Sequence, residues 1–175
     1  MHATETCYGL CCDLTNESAV RRLFAIKQRP LHQPVSALFT SIEASEQFVV
    51  WHDKARLLAA QYLPGPLTLL LPRRKGSPRL WLAPEGEIDV VGVRISSHPI
   101  AMAIAQLYPH PVSTTSANVH GQPEAYETLD ALRQFEGMFP DLLLESGDLP
   151  ATPPSTIVRV DESGILVVRQ GSITV

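Results

Sequence analysis

Leu67-Thr68-Leu69-Leu70-Leu71 is an almost wholly apolar run that follows a sharp break in the chain at Leu63-Pro64-Gly65-Pro66. The run has one β-branched member and predicts a strand in the interior of a sheet. A second β-branched run, Ile88 to Ile95, is bounded by turn signals and predicts another strand. Shorter strands are predicted over Val35 to Ser41 and Pro111 to Thr115. A sheet is therefore the expected centre of the fold.

Helical patterns alternate with these strands along the chain. Asn16 is the expected N-cap of a first helix, which should end before Pro30 because the residue before a proline resists the helical region. Asp53 is expected to cap a second helix, and Thr128 a fourth. Pro99 suits the first turn of a third helix. Alternation of helices and strands predicts an α/β protein.

The C-terminal part of the chain predicts a hairpin. Ser155 to Val160 and Ile165 to Arg169 flank Asp161-Glu162-Ser163-Gly164, which has turn chemistry. Since hairpins intervene among the helices, we expect a single-domain open twisted sheet of mixed parallel and antiparallel strands, with helices packed on it. The sequence contains no repeats or low-complexity tracts, so residues 1–175 are expected to form one domain.

Composition limits the classes of function. The chain has 175 residues, 45% of them hydrophobic, and a formal net charge of −4, so stable autonomous RNA binding is not expected. The three cysteines are better explained as small apolar residues in a reducing compartment than as parts of a disulfide framework or a zinc site. They are Cys7, Cys11 and Cys12. The sequence shows neither a signal peptide nor an apolar stretch of about 20 residues. A cytoplasmic protein is expected.

Several polar side chains fall at the ends of predicted strands and helices, where open α/β sheets form their sites. Cations and hydroxyls dominate this set, which suggests an anionic ligand, such as one that carries phosphate. Each also has a structural explanation: Lys27 and Arg29 suit a helix C-terminus, and Ser116 and Asn118 suit turn hydrogen bonds. The set comprises Thr4-Glu5-Thr6, Lys27-Gln28-Arg29, Thr114, Ser116, Asn118, Ser155-Thr156 and Arg169.

Arg94 is unusual because it lies within the apolar run from Val90 to Ile95. A charge is nearly excluded from such a strand unless it is paired. Two explanations stand side by side, a paired functional charge and an edge position with a solvated head. Motifs for P-loop nucleotide binding, dinucleotide binding and serine hydrolysis are missing from the sequence.

Taken together, seven short motifs resemble the YrdC family. They lie in the family's order from Thr4 to Gly171, and their combination is specific although each alone is weak. They are Thr4-Glu5-Thr6-Cys7-Tyr8-Gly9-Leu10, Lys27-Gln28-Arg29-Pro30, Pro64-Gly65-Pro66-Leu67-Thr68, Val93-Arg94-Ile95, Thr115-Ser116-Ala117-Asn118, Ser155-Thr156-Ile157-Val158 and Arg169-Gln170-Gly171.

The resemblance implies a nucleotidyltransferase that makes threonylcarbamoyl-adenylate and pyrophosphate from L-threonine, bicarbonate or carbon dioxide, and ATP. ATP would be a substrate, accompanied by Mg²⁺, and no protein-held metal is expected. Partner proteins would contact the enzyme transiently and transfer the threonylcarbamoyl group to tRNA, which this chain would bind weakly or not at all.

By the same resemblance, Lys27 and Arg29 would be the catalytic cations at the phosphate and carbamoyl end of the ligand. Their side-chain heads are expected to face solvent in the empty site. Ser116, Asn118 and Arg169 would complete the ATP-binding side. Arg94 would pair with the carboxylate of threonine, with Thr6, Thr114 and Ser155 around the amino-acid portion.

The sequence departs from the family pattern at several positions. Ala3 replaces a proline of the opening motif, and His120 stands where a serine is common. The chain also lacks the helix and strand that usually precede this motif, so we expect a YrdC-like domain over residues 1–175 without its first helix and strand. Either translation starts upstream, which we favour, or this copy is shortened and impaired.

Two other functions remain open at this point. A nucleotide- or RNA-binding module could keep the fold and lose the synthesis, although the acidic balance argues against RNA. A carbamoyl-phosphate-using relative is a further alternative, but such domains accompany other modules, and 175 residues leave no room for them.

Overall fold

The computed structural model describes residues 1–135 and 137–175. Within these residues the chain forms eight strands and five helices. In chain order they are β1 (His2–Ala3), β2 (Tyr8–Leu10), α1 (Glu17–Lys27), β3 (Ser36–Leu38), α2 (Ile42–Ser45), α3 (Asp53–Tyr62), β4 (Leu67–Pro72), β5 (Val90–Arg94), α4 (Pro99–Leu107), β6 (Val112–Ser116), α5 (Thr128–Gln134), β7 (Thr156–Asp161) and β8 (Gly164–Arg169).

All of these strands belong to one sheet, in the order β1-β2-β6-β3-β5-β4-β7-β8. β3 pairs in parallel with β5, and β4 in parallel with β7. The other neighbours are antiparallel, including the predicted hairpin of β7 and β8. The predicted fold class, an open sheet of mixed strand direction with helices, is confirmed.

The helix ends follow the sequence signals in part. The side chain of Asn16 caps α1 as predicted, and the helix ends at Lys27, before Pro30. Pro99 opens α4 as predicted. The predictions for Asp53 and Thr128 are wrong, because each is the first helical residue and neither helix has a side-chain cap.

The two faces of the sheet differ in chemistry. On one face, apolar strand residues such as Leu69 and Val93 join the side chains of α1 and α3 in the main core. Strand register places Gly9, Ser36, Thr68, Leu70, Gly92, Arg94, Thr114 and Ser116 together on the other face, which we call the polar face. α4 covers one end of that face through a smaller cluster of Leu38, Ala101 and Val112.

None of the helices formed by residues 1–135 and 137–175 has the length and apolarity that crossing a membrane requires. Most of the buried apolar residues form the two clusters that pack against the sheet, while other apolar side chains such as Leu107 and Leu166 are exposed. With its row of polar side chains, the polar face is the part of the sheet where a site is expected.

Candidate functional site

A cavity of about 280 Å³ opens over the polar face of the sheet, and we call it the polar cavity. It lies where β6, β3, β5 and β4 run side by side, between the loop before β2 and the hairpin of β7 and β8. Among the predicted site residues, Thr6, Arg29, Arg94, Thr114, Ser116, Ser155 and Arg169 line it. Lys27 and Asn118 do not line the cavity but contact its wall.

Lys27 differs from the expectation, because its head is buried and not solvent-facing. The residue is only 1% exposed. Its Nζ donates to Ser116 O at 2.5 Å, to Asn118 O at 2.7 Å and to Asn118 Oδ1 at 3.1 Å. Burial, and then the charge of Arg29, lowers the pKa of Lys27 to about 7. The number of acceptors equals the number of N–H groups that an ammonium can donate.

Ser116 and Asn118 form the wall directly above Lys27. Ser116 Oγ donates to Asn118 Oδ1 at 2.6 Å, and Asn118 Nδ2 donates to Gln122 O at 2.5 Å. The turn hydrogen bonds considered from the sequence are therefore present. Because two of the three oxygens that accept from Lys27 belong to the backbone of this segment, the lysine fixes the shape of the segment.

The turn after α1 brings Arg29 to the cavity. Gln28 takes the left-handed conformation, with φ of 48°, which is uncommon for a residue other than glycine. Arg29 Nε donates to Gln33 O at 2.9 Å and its Nη2 to Pro34 O at 3.0 Å. The guanidinium is thus held by backbone carbonyls and needs no carboxylate to stay in place.

Arg169 and Ser155 form the opposite wall. Arg169 Nη2 donates to Ser155 O at 2.8 Å, and Ser155 Oγ lies 3.0 Å from Thr68 Oγ1. Gly171 makes this arrangement possible, because a Cβ there would collide with the backbone from Pro154 to Thr156. Its N–H donates to Thr156 Oγ1 at 3.0 Å. Close packing against this backbone therefore explains why glycine stands at the end of the motif Arg169-Gln170-Gly171.

Arg94 is buried on an interior strand, so the edge position considered for it is wrong. Its Nη2 donates to Glu5 Oε1 at 2.8 Å, in an ion pair whose side chains are 8% and 13% exposed. Ser96 Oγ donates to the other oxygen of Glu5. Removing one partner from such a pair leaves a buried charge uncompensated, at a cost of about 3–5 kcal/mol.

The loop before β2 places Thr6 beside Arg94. Thr4 Oγ1 accepts hydrogen bonds from the N–H groups of Thr6 and Cys7 and donates to Cys7 O at 2.7 Å. Thr6 Oγ1 then lies 3.4 Å from Arg94 Nη2. Thr4 thus shapes the loop, and Thr6 faces the site.

The charge of the polar cavity is positive. Arg29, Arg94 and Arg169 line it, and none of its lining residues is acidic. Glu5 neutralises Arg94 from outside the cavity, whereas burial lowers the pKa of Arg29 and Arg169 without taking an arginine out of its charged form. Within residues 1–135 and 137–175, His, Cys, Asp and Glu side chains form no group of three that could hold a metal. The cavity therefore suits an anionic organic ligand with polar groups.

A second cavity, of about 290 Å³, lies between α1, α4 and residues 140–144. Its walls are mainly aliphatic and carry fewer polar groups than those of the polar cavity. It lacks the convergent donors that give a ligand site its orientation. The polar cavity is the better candidate for chemistry.

This fold, with its cation-lined cavity on one face of a mixed sheet, defines a YrdC-like domain. Residues 2–171 match the model of the Sua5, YciO and YrdC family, whose description is telomere recombination. The chain belongs to this family.

Relatives and solved structures agree with that assignment. A protein of Methanocaldococcus jannaschii is 31% identical over 172 residues, which are 98% of this chain and 79% of that protein. A threonylcarbamoyl-AMP synthase of Klebsiella pneumoniae is 34% identical over 145 residues, which are 79% of this chain and 73% of that enzyme. The crystal structure of Pyrococcus abyssi Sua5 with L-threonine superposes with a TM-score of 0.86 at 31% identity. That match covers 97% of this chain and 49% of the Pyrococcus chain, so this chain spans about half of it.

Sequence reasoning missed some residues of the site. Ser36, Thr68 and Ser96 were not predicted, and Glu5 was noted within Thr4-Glu5-Thr6 but given no role. A signal existed for Glu5, because a charge within an apolar strand needs a buried partner of opposite sign. The pairing itself joins residues that are 89 positions apart, and nothing in the local pattern gives that.

Proposed function

We propose that this chain forms threonylcarbamoyl-adenylate and pyrophosphate from L-threonine, bicarbonate or carbon dioxide, and ATP, for the threonylcarbamoyl-adenosine modification of tRNA. The observation that carries the proposal is the polar cavity, in which three arginines and a row of hydroxyls converge in a chain that belongs to this family. Both an amino-acid carboxylate and a triphosphate are anionic, and the cavity offers cations at two ends.

The phosphate end of the proposed site is formed by Arg29 with Lys27 beneath it. The threonine amine first combines with carbon dioxide to give a carbamate, or with bicarbonate to give the carbamate and water. A carbamate oxygen then attacks the α-phosphate of ATP, and the bond to pyrophosphate, the leaving group, breaks. Charge gathers on the phosphoryl oxygens in that step, so cations already in place lower the barrier. Arg29 would contact the phosphate directly, while Lys27 would act from behind the Ser116 wall. Mg²⁺ would arrive with ATP as part of the substrate.

The remaining walls would orient the two substrates. Ser116, Asn118 and Arg169 are assigned to the adenylate side, with Asn118 acting through its hydrogen bond from Ser116. Arg94 is assigned to the carboxylate of threonine, and Thr6, Thr114 and Ser155 to its amino-acid portion. No covalent nucleophile is needed, because positioning and charge stabilisation supply most of the rate. The reaction would take place in the cytoplasm, with transient delivery of the product to the transfer proteins.

The test is release of pyrophosphate from ATP in bicarbonate buffer, with and without L-threonine. We expect threonine-dependent release that falls by about 100-fold or more in Arg29→Ala, because one electrostatic donor contributes this much to comparable sites. Arg21→Ala is the matched control, since Arg21 is an exposed arginine paired with Glu17 on α1. A well-folded wild-type protein without threonine-dependent release would overturn the proposal.

A further inference from the structure

Glu5 is a buried carboxylate that contacts Arg94 without lining the polar cavity. One of its oxygens accepts from Arg94 Nη2 and the other from Ser96 Oγ. Ser96 Oγ in turn accepts from the backbone N–H of His98, the residue that caps α4. Glu5 is therefore held at both oxygens and tied to the start of a helix.

The donors of Arg94 are divided between protein and cavity. Its Nη2 is directed to Glu5 Oε1 and Thr6 Oγ1. Its Nε is buried and has no hydrogen-bond partner among the residues that the structure describes. A buried N–H without an acceptor is rare in folded proteins. Because Arg94 lines the polar cavity while its Nε is buried, a ligand oxygen is the natural acceptor for the terminal guanidinium N–H groups that face the cavity.

We propose that Glu5 is a positioning residue for the amino-acid substrate, which acts by fixing the guanidinium of Arg94 and by setting the charge of that end of the cavity. The proposal rests on the function proposed above. With Glu5 in place, the ion pair of Glu5 and Arg94 has no net charge. Arg94 can then donate directed hydrogen bonds to a carboxylate without attracting every anion by its charge. Phosphate is therefore kept to the Arg29 end.

An alternative is that Glu5 only occupies the place of the substrate carboxylate on Arg94 and leaves when substrate binds. The contacts of Glu5 fit this alternative less well. Glu5 would have to leave Ser96 as well as Arg94, and its carboxylate would remain buried without a partner. The charge of Arg94 and the hydrogen bond from Ser96 hold the pKa of Glu5 below its usual value, although burial alone would raise it. The contacts of both Glu5 oxygens therefore favour an ion pair that stays in place when the ligand binds.

The test compares Glu5→Gln with wild-type protein in two titrations, one with L-threonine by calorimetry and one with inorganic phosphate. We expect the threonine Kd to rise at least about tenfold, because the guanidinium loses a charged hydrogen-bond partner. We expect the phosphate Kd to fall, because the cavity gains one net positive charge. A purely structural role for Glu5 would weaken both ligands together.

Two further variants serve as a control and as a second test of the role of Glu5. Glu46→Gln removes a carboxylate from the exposed pair with Arg56 and should change neither titration. Ser96→Ala keeps the charge of Glu5 but releases one of its oxygens, so it should raise the threonine Kd by a smaller factor. It provides the answer if Glu5→Gln fails to fold.

The outcomes separate the two proposals. Wild-type protein that binds threonine but releases no pyrophosphate overturns the proposed synthesis, while the ratio of threonine Kd values still tests Glu5. An unchanged threonine Kd in Glu5→Gln, or no threonine binding by wild-type protein, overturns the role of Glu5.

Discussion

Lys27 joins the end of α1 to the segment after β6 through three hydrogen bonds from its Nζ. In Lys27→Met, the oxygens of Ser116 and Asn118 that accept these bonds lose their donor. We expect the free energy of unfolding to fall by about 1–3 kcal/mol, which is the cost of leaving a buried polar group unsatisfied. Urea denaturation measures the change. Lys54→Met, an exposed lysine on α3, is the control, and an equal midpoint for both variants would contradict the prediction.

The same lysine should couple ligand binding to the uptake of protons. Its pKa is lowered to about 7 in the empty site, chiefly by burial, so at pH 8 most molecules carry the neutral amine. Phosphate groups nearby favour the ammonium and raise this pKa. ATP binding at pH 8 should therefore take up protons, and the uptake should shrink as the pH falls below 7. Calorimetry in buffers of different ionisation enthalpy measures the uptake, which Lys27→Met should abolish. Equal binding enthalpies in all buffers would refute it.

At the scale of single residues, the sequence predicted which side chains belong to a site better than it predicted their burial and their partners. The charge of Arg94 within an apolar strand was recognised, and of the two explanations left open the structure shows the paired charge, with Glu5 as the partner. Lys27 was expected to face solvent in the empty site, yet its head is buried beneath Ser116. Burial and pairing depend on which distant segments meet, and a local pattern does not contain that information. The roles assigned to these residues stay predictions.

Among the elements, the hairpin of β7 and β8 depends on a close approach that only glycine permits. In Gly171→Ala, the new Cβ would collide with the backbone of Pro154 and Ser155, and the chain must shift. We expect a loss of about 1–3 kcal/mol in the free energy of unfolding, as for overpacked cores. Activity should fall as well, because Arg169 and Ser155 move together.

Thermal and urea denaturation with the activity assay measure both effects. The neighbouring Ser172→Ala is the control, since the Ser172 hydroxyl has no partner among the described residues and its loss should cost little. A Gly171→Ala protein with the stability and activity of that control would show that the hairpin has room to adjust.

The elements that the sequence predicted are those with strong periodicity or clear end signals. The strand from Leu67, the helix from Asn16 and the terminal hairpin were all found, within one or two residues of their ends. The missed elements are short, namely β1, β2 and α2. β1 and β2 form because β6 offers β2 an edge, so tertiary pairing and not local propensity decides them. Asp53 and Thr128 were mistaken for caps because both residue types also suit the first turn of a helix.

The whole molecule separates its charges. Its formal net charge is −4, yet three arginines line the polar cavity. Outside the cavity, five further arginines form exposed ion pairs with nearby carboxylates. Three positive side chains are thus gathered where a small anion can enter, while the chain as a whole is acidic. Such a distribution favours recognition of a nucleotide over recognition of a nucleic-acid backbone.

We therefore expect weak binding of tRNA by this chain alone. Non-specific protein–nucleic acid binding has a Kd of about 1–100 µM at physiological salt. It depends on contacts between basic side chains and phosphates, and the release of counterions from the nucleic acid drives these contacts. Of the two basic clusters, Arg21 and Arg22 are paired with Glu17 and Asp141, which leaves only Arg73-Arg74-Lys75 as a small candidate patch. Filter binding of unmodified tRNA at about 150 mM salt should give a Kd no tighter than about 10 µM. The reversal variant Arg74→Glu should lower even this affinity and leave threonine-dependent pyrophosphate release unchanged, because Arg74 lies outside the polar cavity. A Kd well below 1 µM that survives at this salt concentration would instead favour the RNA-binding alternative, since the charges described here cannot supply that affinity.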